Sequence, residues 1–130
     1  MEAMTKFSTN EESNDDLSEG AQKWVDRLND IIDTYIGDHT FDNERLAREM
    51  GVSERNLFRK LNELTGKPPQ KYIRKRRLEH AMDSLTNGHY RTVNETAYSV
   101  GYLNVSYFIS QFEKEFNTKP LQVLQNSGWR

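Results

Sequence analysis

The chain has 130 residues, 35% hydrophobic, 29% charged and 11% aromatic, enough for a modest core in one ordinary domain or two very small ones. No apolar run reaches the ~18 residues of a membrane-spanning helix, no basic-then-apolar segment predicts a secretory leader, and the lack of cysteine excludes disulfides, thiolate metal sites and a cysteine nucleophile and fits a cytoplasmic location. The net charge of -2 hides an asymmetry: residues 1–40 hold 3 basic and 10 acidic side chains (-7), whereas 41–130 hold 15 and 10 (+5), so the C-terminal part is the one suited to a polyanionic partner.

Residues 1–19 are polar and acidic with no apolar period, and are expected to be a disordered linker or an appended remnant. From residue 20 the pattern turns helical. Trp24, Val25, Leu28, Ile31, Ile32, Tyr35 and Ile36 form one apolar stripe, and Gly37 is the expected stop. Asp42 is placed to cap a second helix, with Phe41 and Leu46 as a hydrophobic staple. Ser53 is placed to cap a third, with Val52 stapled to Leu57. A long helix follows, about 69–86, carrying Tyr72, Ile73, Leu78, Ala81, Met82 and Leu85. Thr92 and Glu95 then form a T-x-x-E capping box, and Asn104 caps a further helix with Leu103 and Phe108 as its expected staple. No sustained period-2 strand is present, and Pro68, Pro69 and Pro120 suit helix starts. The predicted class is all-α.

The chain repeats itself. Ala47 and Gly51 recur fifty residues later as Ala97 and Gly101, while Leu57, Leu61 and Pro69 recur fifty-one later as Phe108, Phe112 and Pro120. The second copy therefore contains one extra residue. Gly66 is matched by Asn117, both types that tolerate the left-handed end of a helix. Each copy reads as a helix ending A-x-x-x-G, a tight turn and a second capped helix. That is a helix-turn-helix, in which the small alanine permits close packing and the glycine the reversal. The copies span about 42–66 and 92–117, joined by the long linker helix.

The segments LAREMGVSERNLFRKLNELTGKPPQKYIRKRRLEHA (46–81) and VNETAYSVGYLNVSYFISQFEKEFNTKP (93–120) resemble the DNA-binding domain of AraC/XylS-family bacterial transcription regulators. The second segment carries the family's signature at Ala97, Gly101, Tyr102, Ser106, Tyr107, Phe108, Phe112, Lys114, Phe116 and Pro120. The resemblance runs over about 23–130 and implies about seven helices in two helix-turn-helix subdomains. It also implies that each places its second helix in one of two successive major grooves about one turn, ~34 Å, apart, often on bent DNA. The acidic lead-in and LSEGAQKWVDRLNDIIDTYI also resemble the junction before this domain in hybrid two-component sensor-regulators.

With Ser53 as cap, Arg55, Phe58 and Arg59 fall at the second, fifth and sixth positions of the first reading helix. Leu57 and Leu61 face inward, which turns the two arginines outward together. Arginine pairs bidentately with guanine O6 and N7, worth ~1–3 kcal/mol of discrimination, or contacts phosphate. Glu54 either accepts from a cytosine amino group or favours the helix N-terminus. Phe58 either meets thymine methyls or covers the core. The second copy offers Val105, Ser106, Ile109 and Ser110. The family commonly has a small polar residue at Ile109 and a basic one at Ser110, so this helix is expected either to read bases weakly or to clamp the backbone. Four successive residues, Arg74, Lys75, Arg76 and Arg77, point ~100° apart on a helix and cannot share one partner. Arg74 and Lys75, with Lys114, Lys60 and Lys67, are candidate phosphate contacts, and Arg77 is a candidate partner for Glu95.

His39, His80 and His89 have no metal-ligand spacing. No glycine-rich phosphate loop, G-x-S-x-G or H-E-x-x-H is present, and no catalytic, metal or cofactor role is assigned. The expected partner is double-stranded DNA, with no membrane partner and with RNA polymerase as a further candidate. The domain is expected to be monomeric by itself and the output end of a larger, dimerising regulator. The alternatives are a stand-alone monomeric regulator of this type, or a helical protein-interaction module docking through the Trp24–Tyr35 stripe.

Overall fold

A computed structural model describes residues 18–127, and the expectation for the acidic lead-in therefore falls almost wholly outside the described residues. Seven helices and no strand are found among them: α1 Glu19–Thr34, α2 Asn43–Met50, α3 Glu54–Thr65, α4 Pro69–Asn87, α5 Val93–Ser99, α6 Val105–Phe116 and α7 Pro120–Asn126. The described part of the chain is all-α, as its periodicity predicts.

The caps lie where the polar side chains were expected to put them. Asp42, Ser53 and Asn104 accept from the backbone N–H three residues on, and Thr92 and Glu95 close a complete capping box. Ser18 caps α1 in the same way. Gly51, Gly66 and Gly101 have φ of 75°, 76° and 86°, and Asn117 has φ 57°, so the Gly66–Asn117 correspondence is one of backbone conformation. Gly37 does not act as the expected left-handed stop. α1 ends at Thr34 with Tyr35 as its C-cap, and a Cβ at Gly37 would lie 3.1 Å from the Ser99 carbonyl oxygen. The glycine serves a close approach between the α1–α2 loop and the C-terminal end of α5.

The extra residue of the second copy is Leu103. In both turns the N–H one residue past the glycine donates to the repeated alanine: Val52 to Ala47 and Tyr102 to Ala97, each at 3.0 Å. Ser53 caps directly after Val52, whereas Leu103 intervenes before Asn104. It is extruded to 66% exposure, so it does not form the expected staple with Phe108. Tyr102, buried and edge-on to Phe108 at 5.2 Å between ring centroids, takes that place.

Two cores result. The first joins Leu28 and Ile32 of α1, Phe41, Leu46, Ala47 and Met50, Leu57 and Leu61 of α3, and Ile73 of α4. The second joins Leu78, Ala81 and Leu85 of α4 with Ala97, Val100, Tyr102, Phe108, Phe112 and Leu124. α4 thus gives its first turns to one module and its later turns to the other, and Ile36 packs against both. The α1 stripe is spent on the first core. Trp24, Ile31 and Tyr35 pack against it, and Tyr72 of α4 donates to Asn29 Oδ1 at 2.7 Å. The stripe is therefore unavailable as the docking face of an interaction module.

Candidate nucleic-acid interface

The first candidate surface is built by α3. Leu57 and Leu61 are fully buried, which fixes the helix's rotation about its axis. Glu54, Arg55, Phe58 and Arg59 then stand exposed around one shallow concavity together with Asn43 and Pro69, the first residues of α2 and α4. Phe58 is 51% exposed, so most of its ring is available to a partner. Among the described residues Arg55 makes no ion pair, and Arg59 meets only Glu63 at 3.5 Å, with both side chains more than half exposed. An exposed pair one turn apart is worth little and does not hold Arg59 back.

The second surface is built by α6, with Phe108 and Phe112 buried. Ser106, Ser110 and Lys114 are exposed, whereas Val105 and Ile109 are half-buried and lie against the second core. The apolar area they present outward is accordingly reduced, and this face offers short hydroxyls and one lysine in the last turn. Tyr107, 49% exposed, also stands at the start of α6. It corresponds to exposed Asn56 of α3 at the fifty-one-residue offset; from the sequence Tyr107 is named only within the family signature, not as a DNA contact, and Asn56 is not named. The repeat itself carried the signal.

The four-residue basic run divides among four destinations, as its ~100° steps require. Arg74 is half-buried, has no ion pair among the described residues, and lines an open cleft of about 550 Å³ between the modules with Glu54, Gln70, Tyr102 and Tyr107. Lys75 bridges Glu79 at 3.7 Å and Glu115 of α6 at 3.4 Å. Arg76 reaches both carboxylate oxygens of Asp33 on α1, at 2.6 and 2.7 Å. Arg77 turns inward and is buried. It does not pair with Glu95: its guanidinium donates to main-chain carbonyls, while Glu95 accepts from the N–H groups of Arg91 and Thr92. The capping box occupies the carboxylate before a distant arginine can. Lys60 lies 4.9 Å from the Trp24 ring centroid, a cation–π contact to α1.

Two ionisable groups mark how the modules are held. Burial pushes the Asp33 carboxyl up, but hydrogen bonds and charge from Arg76 and His80 outweigh it and leave it below the ordinary value of 3.8. Burial, reinforced by nearby Tyr107 and opposed by Arg74 and Arg77, pushes the Tyr102 phenol up to about 12, so it stays protonated as a donor facing the cleft. No cluster of three or more potential metal ligands occurs among the described residues, and none of their helices is long and apolar enough to cross a membrane.

Comparison with known proteins bears on this geometry. A family model described as a helix-turn-helix domain matches residues 46–126. The transcriptional activator RhaS of Escherichia coli O139:H28 is 30% identical over 112 residues, 84% of this chain and 40% of that protein. The chain therefore spans well under half the length of that relative. Among solved structures, the C-terminal domain of the two-component response regulator YesN from Fusobacterium nucleatum superposes with TM-score 0.68 at 27% identity, covering 76% of this chain and 95% of that one. The DNA-binding domain of AdpA, solved with a target DNA, gives TM-score 0.68 at 22% identity over 84% and 93% of the two chains, a likeness of fold.

Proposed function

The chain belongs to the AraC/XylS family of helix-turn-helix regulators, and from that premise we propose that it binds duplex DNA through α3 and α6, set in two successive major grooves. The observation that carries this reading is the outward face of α3. Arg55 and Arg59 stand one helical turn apart, exposed and unburdened by strong ion pairs, at the N-terminal half of a helix whose cap and buried leucines fix its orientation. Arginine so presented reads guanine in the major groove or grips phosphate. Phe58 between them adds apolar contact to a thymine methyl, and Glu54 favours the helix N-terminus.

The two halves of the site are unequal. Ser106 and Ser110 donate hydrogen bonds but lack the reach and charge of arginine, and Val105 and Ile109 keep only part of their surface outward. α6 therefore holds the backbone, with Lys114 as a phosphate contact, while α3 supplies most of the sequence discrimination. Arg74 in the inter-module cleft is a further phosphate contact. Lys75, engaged by Glu79 and Glu115, contributes only by exchanging those partners. The domain acts in the cytoplasm as the output end of a larger regulator, a reading supported by the likeness to a response regulator's C-terminal domain. In such a regulator, dimerisation through other parts raises affinity by effective concentration, and RNA polymerase is the machinery addressed.

Selection from random duplexes with the purified chain tests this. The expected product is an asymmetric motif with one sharp and one diffuse block about ten base pairs apart. Arg55→Ala or Arg59→Ala should erase the sharp block. Absence of any binding at low salt would overturn the proposal.

A further inference from the structure

Arg77 sits midway along α4, where that helix passes from one core to the other. Its neighbours are main-chain oxygens from both modules. Nη1 donates to Ile36 O and, at 2.8 Å, to Val100 O; Nη2 donates to Asp38 O at 3.1 Å and Phe41 O at 3.2 Å. Ile36, Asp38 and Phe41 belong to the loop that leads into the first helix-turn-helix, and Val100 is the C-cap of α5 in the second. Four carbonyls match the four Nη hydrogens of a guanidinium, and no carboxylate among the described residues forms an ion pair with this buried cation.

The surrounding backbone is fitted to the group. A Cβ at Gly101 would overlap Arg77 Nη1 and lie 2.9 Å from Ile36 O, and a Cβ at Gly37 would press on Ser99 O. The entry loop of one module and the turn of the other thus meet backbone to backbone, with two glycines at the crossing. Only a flat, five-donor group can gather four carbonyls in that slot. An ammonium has three donors and no plane.

We infer that Arg77 is a positioning residue: by joining the Ile36–Phe41 loop to the α5–α6 turn, it fixes the separation and relative angle of α3 and α6, and with them the half-site spacing that the chain accepts. The last clause rests on the DNA reading, and the first does not. Each base pair inserted between half-sites moves one of them ~3.4 Å and turns it ~34° about the DNA axis. A rigid pair of reading helices must reject such changes, and a loose pair must tolerate them.

The chain has no cysteine, so Asn62→Cys and Glu113→Cys, on exposed positions of α3 and α6, accept spin labels uniquely. The expected distance distribution is a single narrow peak in the otherwise native chain and a broadened or split one after Arg77→Lys. On duplexes whose half-site spacing is changed by one or two base pairs, the native chain should lose tenfold or more in affinity. Arg77→Lys should bind the optimal duplex more weakly yet vary less than threefold across the series. An unchanged narrow peak, or an equally steep spacing profile, would overturn the inference. Should Arg77→Lys fail to fold, NMR of the native chain decides. Four separate, slowly exchanging Arg77 Nη–H resonances are expected, and an averaged pair would overturn it. If the native chain binds no duplex at all, the DNA reading fails while the distance and Nη measurements still judge the role of Arg77.

Discussion

At the scale of single residues, side chains that look alike in sequence separate by what they touch. Arg55 and Arg59 face outward, whereas Arg76 is spent on Asp33 and Arg77 on carbonyls. Substituting either outward arginine by alanine should cost ~1–3 kcal/mol of discrimination at its base pair if it reads guanine, measurable by competition between operator variants. It should leave thermal stability within about 0.5 kcal/mol, as befits exposed positions. Glu63→Gln should leave DNA binding unchanged or tighten it, because it frees Arg59 and removes a negative charge near the phosphates. Asp33 behaves oppositely. Its folded carboxyl is held below the ordinary value by Arg76 and His80, so its contribution to stability is present above that value and is lost as pH falls through the lowered one. Asp33→Asn should therefore destabilise the chain by on the order of 1 kcal/mol at neutral pH, discounted for its partial exposure. Denaturant titrations of the two proteins should converge as the pH falls through that lowered value.

Helices and turns show which parts of the structure are legible from residue order. The caps at Asp42, Ser53, Thr92 and Asn104 require only local chemistry, a short polar side chain reaching the third amide on, and all are found in place. Thr92→Ala should cost ~1 kcal/mol, and Phe108→Ala, which empties the centre of the second core, ~3–5 kcal/mol, both read by chemical denaturation. Features that depend on distant backbone are not legible in this way. Nothing local distinguishes Gly37 as a crossing point from Gly37 as a helix stop, and nothing local shows that Arg77 finds four carbonyls before it finds Glu95. Leu103 is an intermediate case. The one-residue offset of the repeat announces an insertion, but only the paired hydrogen bonds of Val52 and Tyr102 locate it. Removing Leu103 should restore the spacing of the first turn and bring Tyr102 directly before its cap.

The described residues form two small modules on one long helix, and the proposed function requires that the two be held as one body. Each module alone has a core of few residues, and one Ile36 side chain and one buried guanidinium connect the two. The charge asymmetry of the sequence finds its use at this scale. The basic segment carries α3 and α6, the helices proposed to read DNA, and neutralisation of phosphates by its arginines and lysines should make affinity fall steeply with salt, whereas an apolar protein contact would change little. On the proposed reading α3 and α6 engage successive major grooves with unequal specificity. Hydroxyl-radical footprinting of the chain on its selected duplex tests this most directly. Two protected blocks on one face of the DNA, about ten base pairs apart, with only the α3 block lost in Arg55→Ala, are the predicted result. A single block, or one that survives Arg55→Ala and Arg59→Ala together, would contradict it.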